Sequence, residues 1–166
     1  MNKISRISII LIVITLGIGC DQTTKNIAKG SLAYSRPISV LNGVIRFEYA
    51  ENSGAFLSIG ANLPDFMRYL LFVVFVAAAL IVTLTFTINA QSINNRQLVG
   101  LSMITAGGIG NLIDRMSNNG AVVDFVSIGF GHLRTGIFNL ADVAIMTGFF
   151  LVLIYSLKDV RAQQKS

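Results

Sequence analysis

The stretch FNLADVAIMTGFFLVLIYSL, Phe138 to Leu157, is an apolar run of membrane-crossing length with one carboxylate, Asp142, about one turn from its start. A hydrocarbon core about 30 Å thick is crossed by roughly 20 mostly apolar residues in a helix. A charge at that depth costs roughly 2.5 to 3.5 kcal/mol on insertion scales, so carboxylates persist there when they have a task. The competing reading is an Asp at a helix start, stabilised by the helix dipole and the free N–H groups of the first turn. We read Asp142 as functional.

Working outward, three further apolar runs precede it: about Ile4 to Cys20, Met67 to Ile88 and Leu98 to Ile113. The chain is 53% hydrophobic, 13% charged and free of Trp, with a mean hydropathy of +0.68. This composition points to a membrane protein and away from a soluble core. The run at 98–113 is short but carries Gly100, Gly107, Gly108 and Gly110, and small residues let membrane helices approach closely. The expectation is an all-α bundle of four transmembrane helices (about 4–20, 67–88, 98–113 and 138–157). It forms one domain over 1–166, with outer segments at about 21–66 and 114–137 and a small extracytoplasmic β element.

Four spans place both termini on one side. Lys3, Arg6, Arg96, Lys158, Arg161 and Lys165 lie there against Asp159 alone, so the formal charge of +5 sits wholly with the termini. Their density in short tails and one short loop predicts cytoplasmic termini. Every acidic residue except Asp159 falls to the other side, so the chemistry faces outward. Lys3 and Arg6 ahead of an apolar run ending in Gly19-Cys20 imitate a lipoprotein signal peptide. Gly17, where such a signal wants Leu, and the three later runs argue against that reading.

In the first outer segment, Ile38–Leu41 and Val44–Tyr49 are rich in β-branched and aromatic residues, and Asn42-Gly43 between them signals a hairpin. Ala55–Ile59 is a candidate third strand. Together they predict a β element on the outer surface that cradles an extended peptide. In the second, Val122-Val123-Asp124-Phe125-Val126 is too short to span and is expected to fold back against the bundle, holding Asp124 at the membrane boundary.

Asp124 alone reads equally as a turn carboxylate. Two carboxylates from different segments, both flanked by apolar residues, can share one proton. One then activates a water while the other, protonated, polarises a carbonyl. Other chemistries are poorly supplied. His132 is the only histidine, no G-x-S-x-G elbow occurs, and Cys20 is the only cysteine, without a neighbouring His.

Five short blocks together resemble the lipoprotein signal peptidase (signal peptidase II) family: Asp21-Gln22-Thr23-Thr24-Lys25, Asn52-Ser53-Gly54-Ala55, Gly107 to Arg115, Val122-Val123-Asp124-Phe125 and Phe138-Asn139-Leu140-Ala141-Asp142. They occur in the family's order and cover the outer loops and both ends of the bundle. The resemblance implies an aspartic endopeptidase with Asp124 and Asp142 as catalytic pair and with no metal or other cofactor. It implies as substrate a prolipoprotein with a diacylglyceryl-modified cysteine, cut just before that cysteine. Where the family has a second Ala and then an aromatic residue after Ala55, this chain has Phe56-Leu57, a departure that bears on lipid or peptide preference. Ala106-Gly107-Gly108-Ile109-Gly110-Asn111 exchanges small residues for small.

Spacing puts Gly107, Asn111 and Asp114 on one helix face and Asn139 three residues before Asp142. Asn52, Gly54, Asn111, Arg115 and Asn139 are expected to bind substrate or orient the carboxylates, with Asp21, Lys25, Gly108 and Asp114 in support. Arg115 reads as a structural pair with Asp114 or as a lipid-phosphate contact, and Asp21 with Lys25 carries the same two readings. The expected setting is a monomer in the bacterial cytoplasmic (inner) membrane among membrane lipids, with no nucleic-acid partner. The rival classes are a small transporter or ion-conducting bundle built round an intramembrane carboxylate, and a non-catalytic assembly protein.

Overall fold

The computed structural model describes residues 2–55, 58–131 and 133–164. Helix α1 spans Lys3–Leu32, begun by Asn2, whose side chain accepts the Ser5 N–H at 2.7 Å. It continues well past the apolar run, and this extension buries Asp21 and Lys25. After the first long connecting segment come α2 (Asp65–Tyr69), a π-helical turn (Leu70–Phe75) and α3 (Val76–Asn89), one continuous helical rod. Helices α4 (Asn95–Ser117) and α5 (Leu140–Gln163) each start on a reciprocal capping box, Asn94 with Gln97 and Asn139 with Asp142.

Among the described residues, helices at three of the four expected spans are long and apolar enough to cross a membrane: Lys3–Leu32, Asp65–Asn89 and Leu140–Ala162. Their outer faces carry exposed Leu16, Ile81, Val82 and Phe149, the inverse of a water-soluble surface. Helix α4 is less apolar for a reason visible in the packing. It lies against α1, α3 and α5 and buries Gln97, Ser102, Thr105, Asn111 and Asp114. A helix shielded by its neighbours need not be apolar all round.

Close approach of α4 and α5 depends on glycine. A Cβ on Gly100 would stand 2.8 Å from the Gly148 carbonyl oxygen, and one on Gly107 would collide with the Ala141 carbonyl. Gly108 faces α3 instead, where a Cβ would meet Leu80 at 2.5 Å. At the opposite end from the sheet, buried Arg6 donates from Nε to the Thr87 carbonyl at 2.8 Å and from Nη2 to that of Ala90, tying α1 to the last turn of α3.

The two long connecting segments form one four-stranded antiparallel sheet in the order β1 (Ile38–Val40), β2 (Ile45–Asn52), β3 (Val122–Phe130), β4 (Leu133–Arg134). The β1–β2 connection runs through Leu41, Asn42 and Gly43, all at positive φ, which is where Asn-Gly is needed. Two readings of these segments change. Val122–Val126 does not simply fold back but is the start of the third strand, pairing Asp124 with Ala50 and Val122 with Asn52. Ala55–Ile59 adds no strand among its described residues: Ala55 N–H closes a turn on the Ile59 carbonyl at 2.8 Å, with Ser58 at positive φ. Phe56 and Leu57 lie outside the described residues. Pairing β2 with β3 carries the second connecting segment, and Asp124 with it, onto the first.

Candidate active site

Asp124 sits near the start of β3 and Asp142 in the first turn of α5, and Asn139 joins them. Its Nδ2 donates to Asp124 Oδ1 at 2.7 Å, its backbone N–H to Asp142 Oδ2 at 3.2 Å, and its Oδ1 accepts the Asp142 N–H at 3.0 Å. From β2, Asn52 donates to Asp124 Oδ2 at 3.2 Å, and from α4, Asn111 donates to Asp142 Oδ1 at 2.9 Å. Every oxygen of the two carboxyl groups thus receives an N–H. The amides have no freedom to turn round. Asn52 Oδ1 accepts the Gly54 N–H at 3.0 Å, and Asn111 Oδ1 accepts from the Lys25 ammonium at 2.9 Å, which has no acceptor to offer.

Behind Asn111 lies a charged cluster with almost no access to solvent: Asp21 is 1% exposed, Lys25 3% and Asp114 3%. Lys25 Nζ reaches Asp21 Oδ2 at 2.8 Å and Asp114 Oδ2 at 3.0 Å. Gln22 donates to Asp114 Oδ1 at 2.9 Å and to the Gly110 carbonyl at 3.2 Å. Gly110 is what admits Asp21, since a Cβ there would stand 2.5 Å from Asp21 Oδ2.

Arg115 does not pair with Asp114. Successive helical residues point about 100° apart, and Asp114 turns to Lys25 while Arg115 turns outward to donate from Nη2 to the Gly54 carbonyl at 2.8 Å. Its guanidinium also lies 5.5 Å from the Phe72 ring centroid. Gly54 is buried at this crossing, where a Cβ would stand 2.6 Å from the Ser58 backbone. Gly108 takes no part in the cluster; its contact is with α3.

Some contributors were not singled out from the sequence. Gln22 lies inside the Asp21–Lys25 block, and its polarity on a face otherwise reserved for buried charge was the available signal. Arg134 donates to the carbonyls of Gly43, Val44 and Ser127, tying the β1–β2 turn to β3 beside the site. Nothing local in Leu133-Arg134 announces that role.

Asp124 and Asp142 open into a cavity of about 920 Å³, whose wall beyond them is apolar, with Ile137, Phe138, Met146 and Phe150. The Asp124 carboxyl is pushed up to about 6 from its ordinary 3.8, chiefly by burial and then by the charge of Asp142. The Asn52 and Asn139 donors and the Lys25 charge oppose that shift without cancelling it.

The fold that carries this site is shared with solved membrane enzymes. Two structures described as bacterial membrane enzymes, determined in meso at 2.3 and 1.9 Å, superpose with TM-scores of 0.78 and 0.74. The first is 30% identical and covers 91% of this chain and 88% of its own; the second is 26% identical and covers 90% and 93%. The sequence profile of signal peptidase (SPase) II matches residues 12–158. The lipoprotein signal peptidase of Geobacter metallireducens is 32% identical over 157 residues, 93% of each chain. That of Staphylococcus haemolyticus is 31% identical over 164 residues, 99% of this chain and 100% of its own. The chain belongs to the signal peptidase II family and is a membrane peptidase.

Proposed function

We propose that this chain is an aspartic endopeptidase that removes signal peptides from diacylglyceryl-modified prolipoproteins, cutting just before the lipidated cysteine, with Asp124 and Asp142 as the catalytic pair. The observation that carries the reading is the pair itself: two carboxyl groups, each oxygen held by an oriented amide donor, at the head of an apolar cavity. The names of the relatives supply the substrate class, and the apolar wall along α5 is the surface that suits acyl chains.

Asp142 is assigned as the ionised member, beside an Asp124 whose carboxyl burial and the Asp142 charge push up to about 6. Asp124 is assigned the proton, at Oδ2, where the Asn52 contact is the longer of its two. Asp142 takes a proton from the attacking water, whose oxygen bonds to the scissile carbonyl carbon. Asp124 hydrogen-bonds the carbonyl oxygen as negative charge develops there, and the tetrahedral species collapses as the leaving nitrogen is protonated by Asp142. Asn52, Asn111 and Asn139 orient the pair, and Arg115 fixes the Gly54 turn beside it. No metal or other cofactor takes part.

The reading is completed by a topology. Four spans, α4 among them, make one monomeric domain in the inner membrane, with both termini in the cytoplasm and the sheet and the carboxyl pair toward the outer face. A substrate anchored by acyl chains is confined to that surface, so approach to a pair at the same depth is partly prearranged. The deciding experiment incubates purified protein with a lipidated prolipoprotein, beside Asp124→Asn and Asp142→Asn. Cleavage before the cysteine by wild type alone supports the reading; cleavage by either variant rejects it.

A further inference from the structure

Salt bridges that merely fasten one helix to another spend their oxygens on the cation. The Lys25 cluster does something else with its remaining oxygens. Asp114 Oδ2 accepts the backbone N–H of Val123 at 2.9 Å, and Asp21 Oδ1 accepts the backbone N–H of Ala141 at 2.9 Å. Val123 immediately precedes Asp124, and Ala141 immediately precedes Asp142. One carboxylate from α4 and one from α1 therefore hold the two chain segments from which the pair projects, each a single residue upstream.

Lys25 joins the two holds and adds a third link. Its ammonium reaches Asp21, Asp114 and Asn111 Oδ1. Since an ammonium only donates, Asn111 is obliged to present its Nδ2 to Asp142. All three contacts are buried, where competition from water is least. Ala141 N–H is one of the orphan donors of the first turn of α5, so Asp21 caps in trans the helix that Asn139 caps locally.

We infer that Asp21, Lys25 and Asp114 form a positioning device for the carboxyl pair, which clamps the backbone in front of Asp124 and Asp142 and fixes the amide of Asn111 toward Asp142. This rests on the reading of Asp124 and Asp142 as the catalytic pair. Consecutive Cα atoms are about 3.8 Å apart, so a shift at Val123 or Ala141 passes almost undiminished to the aspartate. Misplacement by about 1 Å can cost roughly 10²-fold in rate.

The test uses the full chain with a lipidated prolipoprotein substrate, giving kcat and KM per folded molecule, with the folded fraction taken from the melting transition. Asp114→Ala and Lys25→Met are expected to lower kcat by about 10²-fold while KM stays within about 3-fold, because neither side chain lines the cavity. Asp114→Asn keeps an oxygen that accepts the Val123 N–H and is expected to recover most of kcat. Unchanged kcat in Asp114→Ala and Lys25→Met overturns the inference and leaves a cluster that serves stability alone. Equal loss in Asp114→Asn and Asp114→Ala overturns it too. Should Asp114→Ala or Lys25→Met fail to fold, Asp114→Asn decides alone: kcat near wild type supports the clamp, and a collapse of kcat in folded protein refutes it. An Asp124→Asn control separates the layers, since cleavage by that variant removes the catalytic pair itself.

Discussion

Asn139 donates from its side-chain nitrogen to Oδ1 of Asp124 at 2.7 Å. The same residue is the N-cap of α5, its Oδ1 taking the Asp142 N–H. One amide therefore begins the helix that carries one carboxylate and holds the other carboxylate against it. Stability and alignment are combined in a side chain that is 1% exposed.

These two duties separate by substitution. Asn139→Ser keeps an N-cap oxygen of comparable quality but is too short to reach Asp124, so its melting temperature is expected near wild type with kcat down by roughly 10²-fold. Asn139→Ala loses the cap as well, at a further cost of about 1 kcal/mol. If Asn139→Ser cleaves at the wild-type rate, the contact to Asp124 is incidental to turnover.

The α4–α5 contact predicts a contrast among glycines. A methyl at Gly100 meets the Gly148 carbonyl at 2.8 Å and Val152 Cγ2 at 2.9 Å, and backbone cannot yield as a side-chain tip can. Gly100→Ala is expected to destabilise by about 1 to 3 kcal/mol, the usual range for overpacking. Gly19→Ala, in α1 with nothing within 4 Å of the added carbon, is expected to hold or raise the melting temperature. Thermal melts in one detergent compare the two directly.

Much of this was legible from residue order, and the exceptions share a cause. The apolar run containing Asp142 announces a membrane helix, and Asn42-Gly43 announces a hairpin, because both are local patterns of hydropathy and turn chemistry. Val122–Val126 is equally rich in β-branched residues, yet its partner β2 lies seventy positions upstream in the register of Asn52 with Val122, and no short-range pattern records that pairing. For the same reason Asp114 beside Arg115 reads as a pair, although each turns to a group distant in sequence, Lys25 and Gly54. Helix α4 shows the limit of hydropathy: its polar face is buried by three other helices, so apolarity alone understates how much of it is packed away.

Chelation is expected to leave turnover untouched. Amide N–H groups from Asn52, Asn111 and Asn139 point their positive ends at the carboxyl oxygens of the pair, and the Lys25 ammonium stands behind Asn111. A cation drawn to those oxygens would face that positive set and would have to displace it. Equal initial rates with and without a strong chelator are the expected result. Activity lost to the chelator and restored by a divalent metal assigns the enzyme to another class.

The raised pKa of Asp124 gives stability a defined dependence on pH. Its carboxyl titrates at about 6 in the folded protein against 3.8 for the ordinary group, so between those values the folded state holds more proton than the unfolded. This contribution is fully present below pH 3.8 and is lost as pH rises through about 6, amounting to about 3 kcal/mol at 1.36 kcal/mol per pH unit. The charges bearing on the group come from α5 as Asp142, from α1 as Lys25 and from α4 as Arg115, and they remain in an Asp124→Asn variant. That variant has no proton to lose at position 124, so its melting temperature relative to wild type should climb between pH 4 and pH 7 and level off above. Parallel melting curves for the two proteins across that interval would mean that Asp124 ionises as freely when folded as in water, and the assignment of the shared proton to it would fall.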